Sequence, residues 1–152
     1  MTRHHGRADG RLAARGREDG QSIVEFSISL LVFLAMLLVI FDVGRGIYMS
    51  NGVAEAAREI ARTTSVHRGA TLGASAETAE TVATQQGLIP GLGTPTYTCV
   101  DIAGATVSGT CAAGDYVKVS VAASWQPIAG QILLFGIVGP LTARSASVVQ
   151  IP

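Results

Sequence analysis

Residues able to do chemistry are few in this chain of 152 residues. It holds two cysteines (Cys99 and Cys111), three histidines (His4, His5 and His67) and eleven carboxylates. Nucleophilic catalysis needs a hydroxyl or thiol beside a base. His67, the one histidine outside the N-terminal tail, has no Ser–His or Cys–His motif around it. Glu77 and Glu80 read as solvated helix charges, and Asp101 and Asp115 as turn or hairpin positions. The glycines of 87–93 lack the lysine and following Ser/Thr of a phosphate-cradling loop. No catalytic residue and no cofactor is therefore expected. A metal centre would need more ligands near the cysteines than the distant histidines supply, so no metal is expected either.

One spacing remains to be explained. In Gly20-Gln21-Ser22-Ile23-Val24-Glu25-Phe26, a glycine closes a charged leader. A glutamate follows five residues later, at the start of an otherwise apolar stretch. A carboxylate at the edge of the hydrocarbon is costly unless protonated or paired. The spacing resembles the processing site of type IV pilin-like precursors, which implies that cleavage after Gly20 would create a positive amine on Gln21. That amine, beside Glu25 of a neighbouring subunit, would neutralise both charges and set an axial register. Glu25 also suits the positive end of its own helix. The plainer alternative is a carboxylate that snorkels to the interface.

The element that positions this motif follows directly. Residues 23–41 read IVEFSISLLVFLAMLLVIF, with Glu25 as the sole charge. At about 1.5 Å per residue this run makes a helix of roughly 28 Å, close to the thickness of a bilayer's hydrocarbon core. Its Leu, Ile, Val and Phe residues each favour insertion by about 0.3–0.6 kcal/mol, and together they outweigh one carboxylate near the end. A cleavable secretory signal would need a shorter run and a small-residue site after it. Asp42-Val43-Gly44-Arg45-Gly46 stands there instead, so the anchor is expected to be retained.

Charge is balanced at eleven basic against eleven acidic residues, but unevenly. Residues 1–20 carry Arg3, Arg7, Arg11, Arg15 and Arg17 against Asp9, Glu18 and Asp19, a formal +2. With little to bury, this leader is expected to be disordered. Arginines ahead of the span place the N-terminus in the cytoplasm and the C-terminal domain outside the cell (inner) membrane. Zero net charge and 5% aromatic residues argue against a nucleic-acid partner. Three segments result: 1–20 a basic cytoplasmic leader to be removed, 21–41 a transmembrane helix, and 42–152 an extracytoplasmic α+β domain.

Beyond Asp42 the helical pattern continues. Val43, Ile47, Val53, Ala54, Ala57, Ile60 and Ala61 recur at spacings dominated by three and four. Glu55–Arg58 and Glu59–Arg62 are spaced for weak ion pairs. One helix is expected over about 22–64, softened near Gly44, Gly46 and Gly52. A short helix over 74–86 would end on a Gly87 cap. Three β segments follow, at 96–102, 116–125 and 141–151; Val117, Val119 and Val121 alternate with polar partners. The fold class is α+β, pilin-like: one long N-terminal helix packed on a small antiparallel sheet. Residues 127–140, PIAGQILLFGIVGP, are too short to span a bilayer; they read as a buried or membrane-surface connection, with a second membrane contact as the alternative. With the domain outside, Cys99 and Cys111 are expected to form a disulfide rather than remain thiols or bind metal.

The motif GQSIVEF, the apolar run and the block AAREIAR at 56–62 together resemble the TadE-like family, small pseudopilins of the Flp (Tad) pilus system and type IV pilin-like. The resemblance is strong over 20–62 and looser beyond. It implies a membrane-anchored minor pseudopilin that takes part in assembly of a pilus or related secretion apparatus. A prepilin peptidase would cut after Gly20, and Gly20, Gln21, Glu25 and Phe26 would form the processing motif. Partners implied are the lipid bilayer, the prepilin peptidase, other pilin or pseudopilin subunits and pilus assembly proteins. Arg58 and Arg62 are candidate assembly contacts on the helix face. The rival reading is an uncleaved membrane-anchored extracytoplasmic binding module; a membrane-tethered enzyme is a third.

Overall fold

The computed structural model describes residues 9–67, 71–108, 111–133 and 135–152, with the backbone alone over 9–19. Six elements follow in order: α1 Asp9–Val66, α2 Ala76–Leu88, β1 Thr96–Val100, β2 Tyr116–Trp125, α3 Ile128–Leu133 and β3 Leu141–Gln150. The chain divides into two units, Met1–Ile40 and Phe41–Pro152.

In the first unit, α1 begins well before the apolar run. Leader residues 9–20 are helical rather than disordered, because Leu, Ala, Arg and Glu are good helix formers and extending an existing helix costs little. The leader residues 1–8, with Arg3, His4, His5 and Arg7, lie outside the described residues. From Gly20 to Phe41 no residue is buried.

In the second unit, α1 runs unbroken through Gly44, Gly46 and Gly52. Two of these glycines have packing reasons. A Cβ on Gly46 would stand 3.1 Å from the Trp125 ring, and one on Gly52 would touch Ile89 at 3.4 Å. The buried stripe is Met49, Val53, Ala56, Ala57, Ile60 and Ala61. Val43 and Ile47, expected on that stripe, are exposed instead; Gly46 is the position beside the Trp125 ring, at the end of β2.

The sheet is antiparallel in the order β1-β2-β3, with Tyr97 opposite Val119 and Val121 opposite Ser145. Its alternation is the one read from the sequence. Val117, Val119, Val121 and Ala123 face the α1 stripe and form the core with it, while Lys118 and Ser124 are exposed. Successive strand residues point to opposite faces, so the alternation leaves one face covered and one open. The α1 alanines let helix and sheet approach closely.

α2 starts at Ala76 because Ser75 caps it, accepting a hydrogen bond from the Thr78 amide at 3.1 Å. It passes through Gly87 and ends at Leu88, so Gly87 is no cap. The stop signal is Pro90, which holds Ile89 in an extended conformation. Gly91, at φ +78°, lets its backbone lie against Ser124; a Cβ there would overlap the Ser124 carbonyl. Cys99 and Cys111 form a disulfide, with Cα atoms 5.6 Å apart.

Candidate processing and anchoring site

The four motif residues lie on the first unit's helix. Gly20, Gln21, Glu25 and Phe26 are all exposed, and the backbone is helical on both sides of the Gly20–Gln21 bond. A Cβ added at Gly20 would meet nothing within 4 Å. Glycine in a helix interior costs about 1 kcal/mol relative to alanine, and no contact among the described residues offsets that cost. Gly44 is open in the same way. The Glu25 carboxylate has no hydrogen bond or ion pair among the described residues. In water this is unremarkable, but at a hydrocarbon edge it calls for a partner. One turn into the run, Ser27 turns its hydroxyl inward to the Ile23 carbonyl at 2.8 Å, which removes a polar group from the helix surface.

The remaining candidates sit elsewhere. Arg58 pairs with Glu55 at 2.8 Å, with both side chains about two-thirds exposed. The pair is worth little by itself. The Glu59–Arg62 pair allowed by spacing does not form among the described residues, and Arg62 is exposed. Glu77 and Glu80 are solvated on α2. Asp101 and Asp115 do hold turns: Asp101 Oδ1 accepts from the Ala103 and Ala105 amides at 2.9 and 2.8 Å, and Asp115 Oδ2 from Ala112 at 2.8 Å. Burial pushes the Tyr97 hydroxyl pKa up from its ordinary value.

One residue escaped the sequence reading as anything more than the end of the apolar run. Asp42 is 7% exposed, and its carboxylate accepts from the Ile128 amide at 2.9 Å and the Ala129 amide at 2.6 Å. It caps α3 from 86 residues away in sequence. The signal was indirect: Trp125-Gln126-Pro127 ahead of α3 contains no Ser, Thr, Asp or Asn to cap it locally. Pro127, Ala129 and Gly130 are buried, whereas 131–133 and 135–137 are exposed, so the expected buried connection holds only for the first residues of the segment. Ile132, Phe135 and Ile137 are the exposed apolar residues of the segment.

Fold and site together define a class: one helix long and apolar enough to cross a membrane, none of its most apolar window buried, continuing into a small α+β domain. The comparison with family models makes the class specific. The family described as TadE-like protein matches residues 20–62, the segment from the motif glycine to the end of AAREIAR. The resemblance read from the residues is thus supported over the same stretch. Comparison with curated proteins and with solved structures gives no significant match.

Proposed function

We infer that this chain is a membrane-anchored minor pseudopilin, acting without catalysis in assembly of a Flp/Tad-type pilus or related secretion apparatus. The observation that carries the reading is the TadE-like match over 20–62, a family associated with the Tad pilus, on a helix whose most apolar window is uncovered among the described residues. On this reading a prepilin peptidase removes residues 1–20. Gln21 then carries a free amine, and Glu25 receives the amine of a neighbouring subunit. The open space around Gly20 fits this role, since a glycine that nothing in the chain requires is free to serve a protease's narrow site. Cleavage needs the bond out of the helix. Gly20 lowers the cost of local unwinding by about 1 kcal/mol.

The domain would stand on the extracytoplasmic side, where the Cys99–Cys111 disulfide is stable. Arg58 and Arg62, both exposed, remain the candidate contacts for other subunits. The test is N-terminal sequencing of protein from hosts with and without the prepilin peptidase. A mature chain beginning at Gln21 only when the peptidase is present is the expected result. An unchanged N-terminus in both hosts overturns processing and leaves an uncleaved membrane-anchored binding module.

A further inference from the structure

The turn after α3 is built to hold apolar side chains away from the domain. Phe135 is 92% exposed and Ile137 83% exposed, and Ile132 is exposed beside them. This is not a loose loop. The Gly136 amide bonds the Gly130 carbonyl at 3.3 Å, and Val138 lies so close to Gly130 that a Cβ there would come within 2.9 Å of Val138 Cβ. Phe135 itself sits at φ +48°, a left-handed conformation that costs a residue with a side chain about 1–2 kcal/mol. The fold accepts that strain to point a phenylalanine into solvent. No Asp, Glu, Lys or Arg occurs anywhere from 119 to 143.

Three features say what covers this tip. First, Asp42 holds the start of α3, and Asp42 is the residue immediately after the apolar run 23–41. A six-residue helix is about 9 Å long, and the headgroup layer on each side of the hydrocarbon is roughly 5–8 Å deep. The tip is therefore tied within reach of the membrane boundary. Second, Arg45, Tyr48 and Trp125 line one hollow beside this end of the domain, with the Arg45 guanidinium 5.6 Å from the Trp125 ring centre. Trp and Tyr with a nearby cation are the residues favoured at headgroup level. Third, Val43 and Ile47, which follow Asp42 in the same unit, are exposed apolar residues as well.

We propose that Ile132, Phe135 and Ile137 insert into the outer lipid interface, giving the domain a second, shallow membrane contact beside its spanning helix. The proposal rests on 23–41 crossing the bilayer, and it adds a constraint that the family reading does not contain. With two attachment points, one at α1 and one at the α3 turn, the domain is held against the bilayer in a fixed orientation rather than swinging on a single helix. Extraction of a subunit into a fibre would then have to release the tip from lipid as well as the span.

The experiment uses the full chain reconstituted in phosphatidylcholine vesicles. A single tryptophan is placed by Phe135→Trp, Phe33→Trp or Ile102→Trp, each in a Trp125→Phe background. Ile102, 89% exposed in the β1–β2 connection, reports a solvated site, and Phe33 reports the run. Lipids brominated near the headgroup end of the acyl chains, or near the methyl end, quench by contact. The expected result is blue-shifted emission at 135 with loss of about half its intensity to the shallow bromines, as for side chains seated 5–10 Å into the interface. Quenching at 33 should come from the deep bromines, with none at 102. Solvent-like emission at 135 with quenching at 33 overturns the tip contact and leaves the span standing. A blue shift at 135 without quenching also overturns it, because the cover is then protein. No quenching at 33 overturns the span and the proposal together. The same three placements in the chain that keeps Trp125, read as differences from the parent, give the answer independently of any effect of Trp125→Phe.

Discussion

Replacing Asp42 by alanine tests the link between the helix and the α3 turn. The carboxylate receives two amides, at 2.9 Å from Ile128 and 2.6 Å from Ala129. Ile128 is exposed enough for water to take over its amide, whereas Ala129 is buried and its amide would be left without a partner. An unsatisfied buried donor costs about 1–3 kcal/mol, and loss of a helix cap about 0.5–2 kcal/mol. These describe the same event, so a net cost near 2 kcal/mol is expected rather than their sum. That corresponds to roughly a thirtyfold shift in the opening equilibrium of α3. Asp42→Asn keeps one acceptor and should lose about half as much. The core of α1 and the sheet does not depend on this contact, so the loss should be local. Hydrogen exchange of the full chain in micelles is the assay: amides of 128–133 should exchange faster in Asp42→Ala, and those of 117–121 should not change. Unchanged protection at Ile128 and Ala129 would refute the capping role and with it the tether on which the tip's position depends. Faster exchange across the sheet as well would show that α3 is part of the global folding unit.

Three further outcomes are accessible to simple measurements. Reducing Cys99–Cys111, which encloses eleven residues, should lower the domain's unfolding free energy by about 3 kcal/mol in a denaturant titration; an unchanged midpoint would mean that the loop is held by its turns alone. Tyr97 keeps its proton to higher pH when folded than when unfolded, so the folded state binds more protons above the ordinary tyrosine pKa and stability must fall as pH rises past 10. Tyr97→Phe should flatten that fall above pH 10, and an identical slope would refute it. Gly130→Ala pushes a methyl to within 2.9 Å of Val138 and 3.1 Å of Pro127, and should cost about 1–3 kcal/mol locally; protection of 128–133 equal to wild type would mean that the turn yields without strain.

Much of this fold was legible because its periodicities are long and unmixed. Tyr116–Trp125 alternates through ten residues, and the β2 bounds agree with the pattern. The apolar run admits no other element than a helix. What failed was local punctuation. Gly87 looked like a cap, but helix propagation tolerates one exposed glycine and Pro90 imposes the stop. The leader looked too polar to fold, yet a helix needs no core when it is an extension of a longer one. The motif around Gly20 was legible for a different reason: spacing along one helix needs no tertiary knowledge. Asp42 was not legible because its partners are main-chain amides, which leave no trace in residue identity at 128 or 129.

That contrast bears on how the charges of this protein are used. Residues 1–20 carry +2 and the remainder −2, so overall neutrality hides two opposite populations. Within 20–62 the structure separates the acidic residues further. Glu55 is spent on Arg58 at the surface, and Asp42 on two amides in a buried cap. Glu25 and Glu59 have no side-chain bond among the described residues, and of the two only Glu25 lies on the apolar run. A carboxylate in that position destabilises an isolated span, and the domain's fold gains nothing from it. On the proposed reading its partner is the amine of a neighbouring subunit, and Glu25→Ala separates the two costs. Insertion should improve or stay level, because a charge leaves the hydrocarbon edge. Incorporation into the assembled apparatus should drop if a neighbouring amine is the partner. Incorporation equal to wild type, measured in sheared surface fractions against membrane-resident protein, would refute the pairing and return Glu25 to an ordinary snorkelling side chain.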